Sequence, residues 1–344
     1  MTGIISYGVY IPRNRLKLSD IASVWGKDAK TIESSLGVKE KCVAGIDEDA
    51  VTLAIEASRE ALVRGTISPV LIQSILVGSE SHPYAVNPTS TIVGEFLGVP
   101  HTYLGADLQF ACKAATTGLI LTSALVSEKK ITYGLVVGSD AAQAKPHDVL
   151  EYTAGAGAVA FVVGEGSDVA VELIDYASYS SDTPDFWRRD GISYPTHSGR
   201  FTGEPSYFTH VLSAGGELLK RINKKPSDFD YCVFHAPNGK FPIDVAKRFG
   251  FTYKQLEASL VVEDIGNPYS ASALCGLVAV LEQAKPNQTI FMVSYGSGAG
   301  ADAFILKTTK KIERLTKNGQ TIREKIKNKE YISYIQYLKM RGVI

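Results

Sequence analysis

One cysteine of this sequence stands in a context that favours nucleophilic chemistry. Cys112 lies between the apolar, strand-like residues 108–111 and a run of small and apolar residues that predicts a buried helix over 114–126. The unpaired N–H groups and the dipole at a helix N-terminus lower the pKa of a thiol, and the thiolate is its nucleophilic form. We therefore expect Cys112 to carry an acyl group as a thioester. The competing interpretation is an inert core cysteine.

The remaining cysteines show no pattern that predicts a site. They form no Cys-x-x-Cys pair, and no histidine lies at metal-ligand spacing from any of them, so we expect neither a disulfide framework nor a zinc site. The default prediction for each is a buried, small hydrophobic residue. These cysteines are Cys42, Cys232 and Cys275.

Two other titratable residues follow predicted buried strands. Glu80 follows the strand predicted at 74–78, and a carboxyl group there has a raised pKa unless it is paired, which makes it a usable base. His235 follows the strand predicted at 231–234 and precedes a Pro-Asn-Gly loop. It could be a general acid or base, or a hydrogen-bond donor to a thioester carbonyl. An exposed loop glutamate and a structural histidine are the alternatives.

Asn267 and Ser297 are the other polar candidates. Asn267 precedes a buried helix predicted at 271–283, where helix capping is its ordinary role. Ser297 lies in a glycine-rich run that lacks the spacing of a dinucleotide or phosphate-binding loop. We expect this run to form a tight loop that brings backbone N–H groups close to a ligand.

An internal repeat relates these residues. In both halves of the chain, a strand, a buried helix, a second strand and a glycine-rich run follow in the same order. Glu80 and Cys112 are 32 residues apart, and so are His235 and Asn267. We infer two homologous halves, residues 1–168 and 169–306, related by a pseudo-twofold axis that brings all four side chains to one site. Ligands of α/β sheets bind at such strand ends.

The composition places this site in an ordinary globular protein. Of the 344 residues, 45% are hydrophobic and 21% are charged, and the formal net charge is zero, so nothing global favours nucleic acid or an anionic membrane. The continuous apolar strands predict a layered α/β fold. The N-terminus resembles a first strand rather than a signal peptide, and no apolar run is long enough for a membrane span. We expect a soluble, cytoplasmic protein.

A basic extension, residues 307–344, follows the second half. It contains 11 lysines and arginines against 3 acidic residues. We expect it to pack one helical face onto the body through Tyr331, Tyr334, Ile335 and Leu338. A role in docking a partner or binding a phosphate is the alternative, and a nucleic-acid role is disfavoured.

Several motifs, taken together, resemble the thiolase superfamily and, within it, the archaeal-type 3-hydroxy-3-methylglutaryl-CoA synthases. The resemblance covers nearly the whole chain. The motifs are Gly-Ser-Glu-Ser-His-Pro-Tyr-Ala at 78–85, Phe-Ala-Cys-Lys-Ala at 110–114, Leu-Glu-Tyr-Thr-Ala at 150–154, Asp-Thr-Pro-Asp-Phe-Trp-Arg-Arg at 182–189, Gly-Arg-Phe-Thr-Gly-Glu-Pro at 199–205, Pro-Asn-Gly-Lys-Phe-Pro at 237–242 and Gly-Ser-Gly-Ala-Gly at 296–300.

This resemblance implies a five-layer αβαβα fold and a Claisen-type condensation in mevalonate and isoprenoid biosynthesis. Cys112 would take an acetyl group from acetyl-CoA, Glu80 would remove a methyl proton, and the enolate would attack acetoacetyl-CoA. His235 would then protonate the alkoxide, and water would release the product. Residues implied near the acyl group or coenzyme A are Asp28, Ala29, Thr153, Arg200, Thr202, Lys240, Asn267 and Ser297.

The family also implies a homodimer and a complex with an acetoacetyl-CoA thiolase and a zinc-ribbon/OB-fold scaffold protein, with no metal or redox cofactor in this chain. Two other functions stay open at this point. A β-ketoacyl-acyl-carrier-protein synthase III-like enzyme also uses Cys, His and Asn, but it decarboxylates malonyl groups and needs no carboxylate base such as Glu80. The other is a non-catalytic protein that channels acyl-CoA or scaffolds a complex.

Overall fold

The computed structural model describes residues 1–142, 144–199 and 201–344. The strands are β1 (Thr2–Tyr10), β2 (Asn14–Lys17), β3 (Glu40–Val43), β4 (Ile72–Gly78), β5 (Leu104–Leu108), β6 (Tyr133–Ala141), β7 (Ala156–Glu165), β8 (Val171–Ser180), β9 (Phe186–Trp187), β10 (Thr196–His197), β11 (Tyr231–Phe234), β12 (Thr289–Gly296), β13 (Gly300–Thr308) and β14 (Glu330–Tyr331).

The helices surround these strands. They are α1 (Leu18–Val24), α2 (Ala29–Leu36), α3 (Ala50–Gly65), α4 (Thr89–Leu97), α5 (Ala114–Ser127), α6 (Phe208–Arg221), α7 (Phe241–Phe249), α8 (Tyr253–Leu256), α9 (Val262–Ile265), α10 (Ser272–Leu281), α11 (Ile312–Leu315), α12 (Ile322–Lys327) and α13 (Tyr334–Met340). Shorter helical turns include Val149–Tyr152, Thr202–Tyr207 and Tyr269–Ala271.

Two related sets of strands form the central sheet. Its order is β11-β12-β13-β8-β1-β7-β6-β4-β5, so the first half contributes five strands and the second half contributes four. The two sets meet where β1 pairs antiparallel with β8 over two residue pairs. The predicted boundary between residues 168 and 169 falls between the end of β7 and the start of β8. β13 runs two residues past the predicted boundary at 306.

The alternation of side chains along the strands creates the layers. In β12, Ile290 and Met292 point into a core shared with α5 and α10, whereas Phe291 and Val293 point into a second core with α6. β7 alternates in the same way between the shared core and a third core built on α3. Because central strands such as β7 and β12 are buried on both faces, helices must cover both sides of each half, which produces the αβαβα arrangement.

The basic extension lies against both halves. Glu282 at the end of α10 accepts the backbone N–H of Ile322 at 2.9 Å, and β14 pairs with β2. The predicted packing is partly wrong: Tyr334 is buried, but Ile335 is 60% exposed and Tyr331 is 49% exposed, and Tyr337 fills the interior instead. The buried side chains of α13 lie three residues apart, on one face of the short helix.

Candidate active site

The nucleophile lies just before the first buried helix. Cys112 is 5% exposed and precedes α5 by two residues, and Ala111 before it has a left-handed backbone with φ of 45°. A residue with a Cβ atom adopts this conformation only when its surroundings enforce it, and such strain concentrates at functional sites. The expected lowering of the thiol pKa by the helix N-terminus is wrong: the pKa of Cys112 lies well above its usual range, because burial disfavours the thiolate and the nearby carboxyl of Glu80 repels it. In this state the thiol is therefore protonated.

The carboxyl group of Glu80 is in contact with this thiol. Glu80 follows the end of β4 by two residues. Its pKa is raised to about 8, chiefly by burial and then by the charge of Asp140, whereas a hydrogen bond from Cys112 opposes the shift. Oε1 of Glu80 has no hydrogen-bond partner among the described residues. A carboxyl group in this state can accept a proton close to neutral pH.

Asp140, at the end of β6, organises this region and was missed by the sequence analysis. Its Oδ1 accepts the backbone N–H of Glu80 at 2.8 Å and the hydroxyls of Ser79 and Ser81 at 2.9 and 2.7 Å. Its Oδ2 accepts the backbone N–H of Ser270 at 2.9 Å. One buried carboxylate thus fixes the backbone of Glu80 relative to the chain that leads into α10. The signal in the sequence was the same as for Glu80, an acidic residue at the end of an apolar strand.

The turn between β12 and β13 closes the opposite side of the thiol. The backbone N–H of Ser297 donates a hydrogen bond to Cys112, which partly offsets the increase in the thiol pKa. A Cβ atom on Gly296 would lie 2.6 Å from the carbonyl oxygen of Phe110, so the close approach requires glycine. The hydroxyl of Ser297 points away, to the buried carboxylate of Asp185 at 3.0 Å, which the sequence analysis also missed.

His235 lies at the end of β11 and is 1% exposed. Its backbone N–H donates to Val293 at 2.9 Å, its carbonyl accepts the hydroxyl of Tyr207 at 2.8 Å, and its ring centroid lies 6.0 Å from that of Tyr295. Burial lowers the pKa of His235 to about 3, so the imidazole is neutral at physiological pH. Nδ1 has no hydrogen-bond partner within the described part of the chain.

Asn267 is held by the segment that precedes β7. Its backbone N–H donates to Thr153 at 2.7 Å, and its carbonyl accepts the N–H of Gly155 at 2.9 Å. Its side-chain oxygen accepts the N–H of Tyr269 at 3.0 Å. The ring of Tyr269 and the methyl of Ala154 pack in one cluster with Cys112. Asn267 therefore lies two residues before Tyr269, and its backbone partners Thr153 and Gly155 flank Ala154.

The repeat is real in topology, but its residue register differs from the predicted one. The left-handed residue before α5 is Ala111, with φ of 45°, and its counterpart before α10 is Tyr269, with φ of 47°. Cys112 therefore corresponds to Ser270, and Asn267 lies three residues earlier. The equal spacing of 32 residues reflects similar segment lengths. It does not reflect strict equivalence of Cys112 and Asn267.

The residues expected to contact coenzyme A lie on neighbouring elements, and one of them, Arg200, falls outside the described residues. Asp28 caps α2 through the backbone N–H of Thr31 at 2.8 Å, and Ala29 packs against the core beside it. The Gly239 N–H donates to Leu36 at 2.8 Å, which places Lys240 near the end of α2.

Thr202 begins the helical turn before α6. The next residue, Gly203, faces the ring of Phe241, which follows Lys240. The predicted coenzyme A contacts therefore lie on elements that adjoin one another. They are Asp28, Ala29, Thr202 and Lys240.

A cavity of about 820 Å³ opens onto Glu80 and onto Ala111, the neighbour of Cys112. Its wall includes Glu80, Ala111, Asp140 and Ser297, together with Arg341 from the basic extension. Among the described residues, no group of three or more His, Cys, Asp and Glu side chains could hold a metal ion, and no helix could cross a membrane. The absence of a metal or redox cofactor stays a prediction.

Comparison with known proteins decides the family. The chain is 52% identical over 344 residues to a hydroxymethylglutaryl-CoA synthase of Archaeoglobus fulgidus, with 100% of this chain and 99% of the relative covered. It is 49% identical over 344 residues to the synthase of Methanocaldococcus jannaschii, with 100% and 99% covered. The chain belongs to the hydroxymethylglutaryl-CoA synthase family. Members of this family are acyl-transferring enzymes, so this chain is an enzyme of that class.

Solved structures agree on the fold of the hydroxymethylglutaryl-CoA synthase family. One described as an HMG-CoA synthase complexed with CoA is 26% identical, with a TM-score of 0.89 over 98% of this chain and 89% of that one. One described as MvaS in complex with 3-hydroxy-3-methylglutaryl coenzyme A is 24% identical, with a TM-score of 0.88 over 99% and 91%. The predicted thiolase-like fold is confirmed.

The rival family is also visible in the comparisons. Residues 219–308 match the family described as 3-Oxoacyl-[acyl-carrier-protein (ACP)] synthase III C terminal. A 3-oxoacyl-(acyl carrier protein) synthase III from Pseudomonas aeruginosa shares the fold at a TM-score of 0.83 and 20% identity, covering 90% of this chain and 98% of that one. The full-length relatives, at about 50% identity, favour the hydroxymethylglutaryl-CoA synthases over this alternative.

Proposed function

We propose that this enzyme condenses acetyl-CoA with acetoacetyl-CoA and water to give (S)-3-hydroxy-3-methylglutaryl-CoA and coenzyme A, through a thioester on Cys112. The observation that carries the proposal is the buried contact between the Cys112 thiol and the Glu80 carboxyl, whose pKa is raised to about 8. A nucleophile and a base in direct contact match the two roles that a thioester-bound Claisen condensation needs.

In the first step the sulfur of Cys112 attacks the carbonyl carbon of acetyl-CoA. Glu80 takes the thiol proton and returns it to the departing coenzyme A thiolate, so the enzyme is left acetylated and Glu80 is again ionised. The backbone N–H of Ser297, which faces the sulfur, would stabilise the developing oxyanion. The thiolate of a thiol with an elevated pKa forms only transiently, but it is strongly nucleophilic.

In the second step Glu80 removes a methyl proton from the acetyl group, and the enolate attacks the ketone carbon of acetoacetyl-CoA. His235 donates its N–H proton to the new alkoxide and takes up a proton at its other ring nitrogen, while Glu80 gives up the methyl proton to solvent, so both side chains return to their starting states. The neutral state of His235 at physiological pH suits it to donate a hydrogen bond to the ketone oxygen without introducing a second full charge. The side-chain oxygen of Asn267 is occupied by Tyr269, so its NH₂ group is the donor for a substrate carbonyl.

In the last step water attacks the thioester carbonyl and releases the product carboxylate, which restores the Cys112 thiol. Lys240 and Arg200 would contact the coenzyme A phosphates, because cationic side chains bind phosphate through charge-assisted hydrogen bonds. Asp28, Ala29 and Thr202 would line the same binding region, and Thr153 would contact the acyl group.

The oligomeric state, the partner proteins and the cellular compartment belong to the same proposal. β5 is the last strand of its sheet, with Leu104 51% exposed, and Phe96 of the neighbouring α4 is 66% exposed. An apolar free edge favours pairing with a second copy, which supports a homodimer. A further complex with an acetoacetyl-CoA thiolase and a zinc-ribbon/OB-fold scaffold protein, within mevalonate and isoprenoid biosynthesis, stays a proposal. Free, buried cysteines fit the reducing cytoplasm.

The test separates acylation from condensation. Incubation with acetyl-CoA alone should add about 42 Da to the peptide that contains Cys112, and acetoacetyl-CoA should then yield hydroxymethylglutaryl-CoA, identified by mass spectrometry. Cys112→Ala should form no adduct, with Cys232→Ala as the matched control that retains it. An acetyl adduct that condenses only with malonyl-acyl-carrier protein would instead support the ketoacyl synthase. A parent enzyme that forms no adduct would support the non-catalytic function.

A further inference from the structure

The last helix of the chain reaches the interior behind the catalytic site. Tyr334 and Tyr337 of α13 are 5% and 4% exposed, and they pack against Trp25 and Lys41 from the start of the chain. The basic extension that carries α13 has no part in the reaction proposed above. Its buried aromatic residues nevertheless lie next to the segment that supports Asn267.

A buried glutamate connects α13 to this segment. Glu151 is fully buried in the helical turn just before Thr153. Its Oε1 accepts the hydroxyl of Tyr334 at 2.9 Å, and its Oε2 accepts the backbone N–H of His147 at 2.9 Å. A buried carboxylate is stable only with such partners, so each bond fixes the turn in place.

A lysine holds the same turn from the other side. Nζ of Lys41 donates to the carbonyl oxygen of Glu151 at 2.5 Å, and it lies 4.5 Å from the ring centroid of Tyr337. Lys41 is 1% exposed, so the ring of Tyr337 and this carbonyl replace water around its side chain. α13 thus contacts both the side chain and the backbone partner of Glu151.

Two residues further along, the turn becomes part of the active site. The carbonyl of Thr153 accepts the N–H of Asn267 at 2.7 Å, and Gly155 donates to the carbonyl of Asn267 at 2.9 Å. At the other wall, Arg341 just after α13 donates to the carbonyl of Ala141 at 3.2 Å, next to Asp140. The end of the chain therefore touches the supports of both Asn267 and Glu80.

We infer that α13 positions the catalytic site: the bond from Tyr334 to Glu151 fixes the turn that clamps Asn267, and Tyr334 and Glu151 are positioning residues for the condensation. The claim that α13 affects the condensation rests on the proposed function, whereas the claim that it fixes the turn does not. Misplacement of a substrate-binding group by about 1 Å costs on the order of a hundredfold in rate. Loss of the bond from Tyr334 to Glu151 should let the turn relax only in part, so kcat should fall roughly tenfold.

The test compares two hydroxyl deletions in the extension. Tyr334→Phe removes the bond to Glu151, and the matched control Tyr331→Phe removes a bond of 2.8 Å from the extension to the carboxylate of Glu40, which is not bonded to Glu151 or Asn267. In Tyr334→Phe, hydrogen exchange at the N–H groups of Asn267 and Gly155 should speed up roughly fivefold, as expected for one lost hydrogen bond. In the control it should not change.

The effect on catalysis is measured as kcat, calculated per mole of enzyme whose Cys112 can be acetylated by acetyl-CoA. This normalisation removes any effect of a partly unfolded sample. Tyr334→Phe should lower that kcat roughly tenfold with the KM for acetoacetyl-CoA little changed, because the lost stabilisation acts in the transition state. Unchanged exchange in Tyr334→Phe, or faster exchange with an unchanged kcat, would overturn the inference. A parent enzyme that does not catalyse the condensation would contradict the proposed function. The hydrogen-exchange result would still test whether α13 fixes the turn that holds Asn267.

Discussion

Substitution of Glu80 by glutamine should stop condensation while leaving acetylation of Cys112 possible. The substitution keeps the size of the side chain but removes the group that accepts the methyl proton. A positioned general base contributes about 10²- to 10⁴-fold, so the condensation rate should fall by that range. Acetylation should persist more slowly, because Cys112 loses its neighbouring base but retains the N–H of Ser297.

The pH dependence of the parent enzyme supplies the magnitude. With a pKa of about 8, roughly one tenth of Glu80 is ionised at pH 7 and roughly nine tenths at pH 9, so condensation should accelerate at least about ninefold between them. The acetylated Cys112 can no longer donate the hydrogen bond that opposes the shift, so the pKa in the acetyl-enzyme lies higher and the acceleration is larger.

The assay is a single turnover of isolated acetyl-enzyme mixed with acetoacetyl-CoA, followed across this pH range. Glu80→Gln should show a low and flat profile, and Glu217→Gln, an exposed control on α6, should match the parent. A parent rate that does not rise with pH, or a Glu80→Gln rate close to that of the parent, would refute the assignment of Glu80 as the base.

The same pKa shift predicts a change in stability. The folded protein binds the Glu80 proton more tightly than the unfolded chain, whose value is near 4.5. The stabilisation is therefore complete below about pH 4.5 and is lost as the pH rises through about 8. Relative to the parent, Glu80→Gln should gain free energy of unfolding above about pH 8, measured by denaturant titration. The opposite trend would show that the carboxylate is stabilised in the fold.

Two further substitutions test the surroundings of the site, and a pair of glycine substitutions tests the packing of the fold. Asp140→Asn removes a negative charge that raises the pKa of Glu80, so the midpoint of the single-turnover pH profile should move to lower pH; an unmoved midpoint would exclude this electrostatic effect. His235→Ala should leave acetylation intact and lower condensation about 10²- to 10³-fold, and equal losses in both steps would assign His235 to acylation. Gly78→Ala should lower the free energy of unfolding by about 1–3 kcal/mol, because the new Cβ would lie 2.3 Å from the backbone of α5. Gly216→Ala, with open space around the new Cβ, should raise it by about 0.5–1 kcal/mol, and denaturant titration of both variants checks the pair.

Long buried elements could be predicted from the sequence, and half-exposed ones could not. β11 and the start of α5 fall where the apolar runs place them, because both are buried on all sides. β8 escaped prediction because Glu172 and Asp175 interrupt its apolar residues, and its burial alternates irregularly. β5 is short, contains Gly105 and is largely exposed, so its pattern does not differ from that of a loop.

The reactive residues of the site could be predicted, but their supports could not. Cys112, Glu80 and His235 follow or precede apolar runs, so their positions signal chemistry without knowledge of the fold. Asp140 and Asp185 act through hydrogen bonds to backbone and hydroxyl groups that are distant in sequence. Asp140 did carry a local signal, its place at the end of an apolar strand, but the bonds themselves depend on how distant segments meet, and no local pattern encodes that geometry.

The two ends of the central sheet differ in a way that limits how copies of the chain can associate. Cys232, Val233 and Phe234 of β11 are buried, whereas Leu104 and Gly105 of β5 are exposed. A sheet with one accessible edge can add one further sheet, and the addition uses the edge of both copies. Growth then stops at two, whereas a second accessible edge would allow continued addition into a fibre. If copies of this chain pair through β5 as proposed, the covered edge at β11 would limit the assembly to two copies.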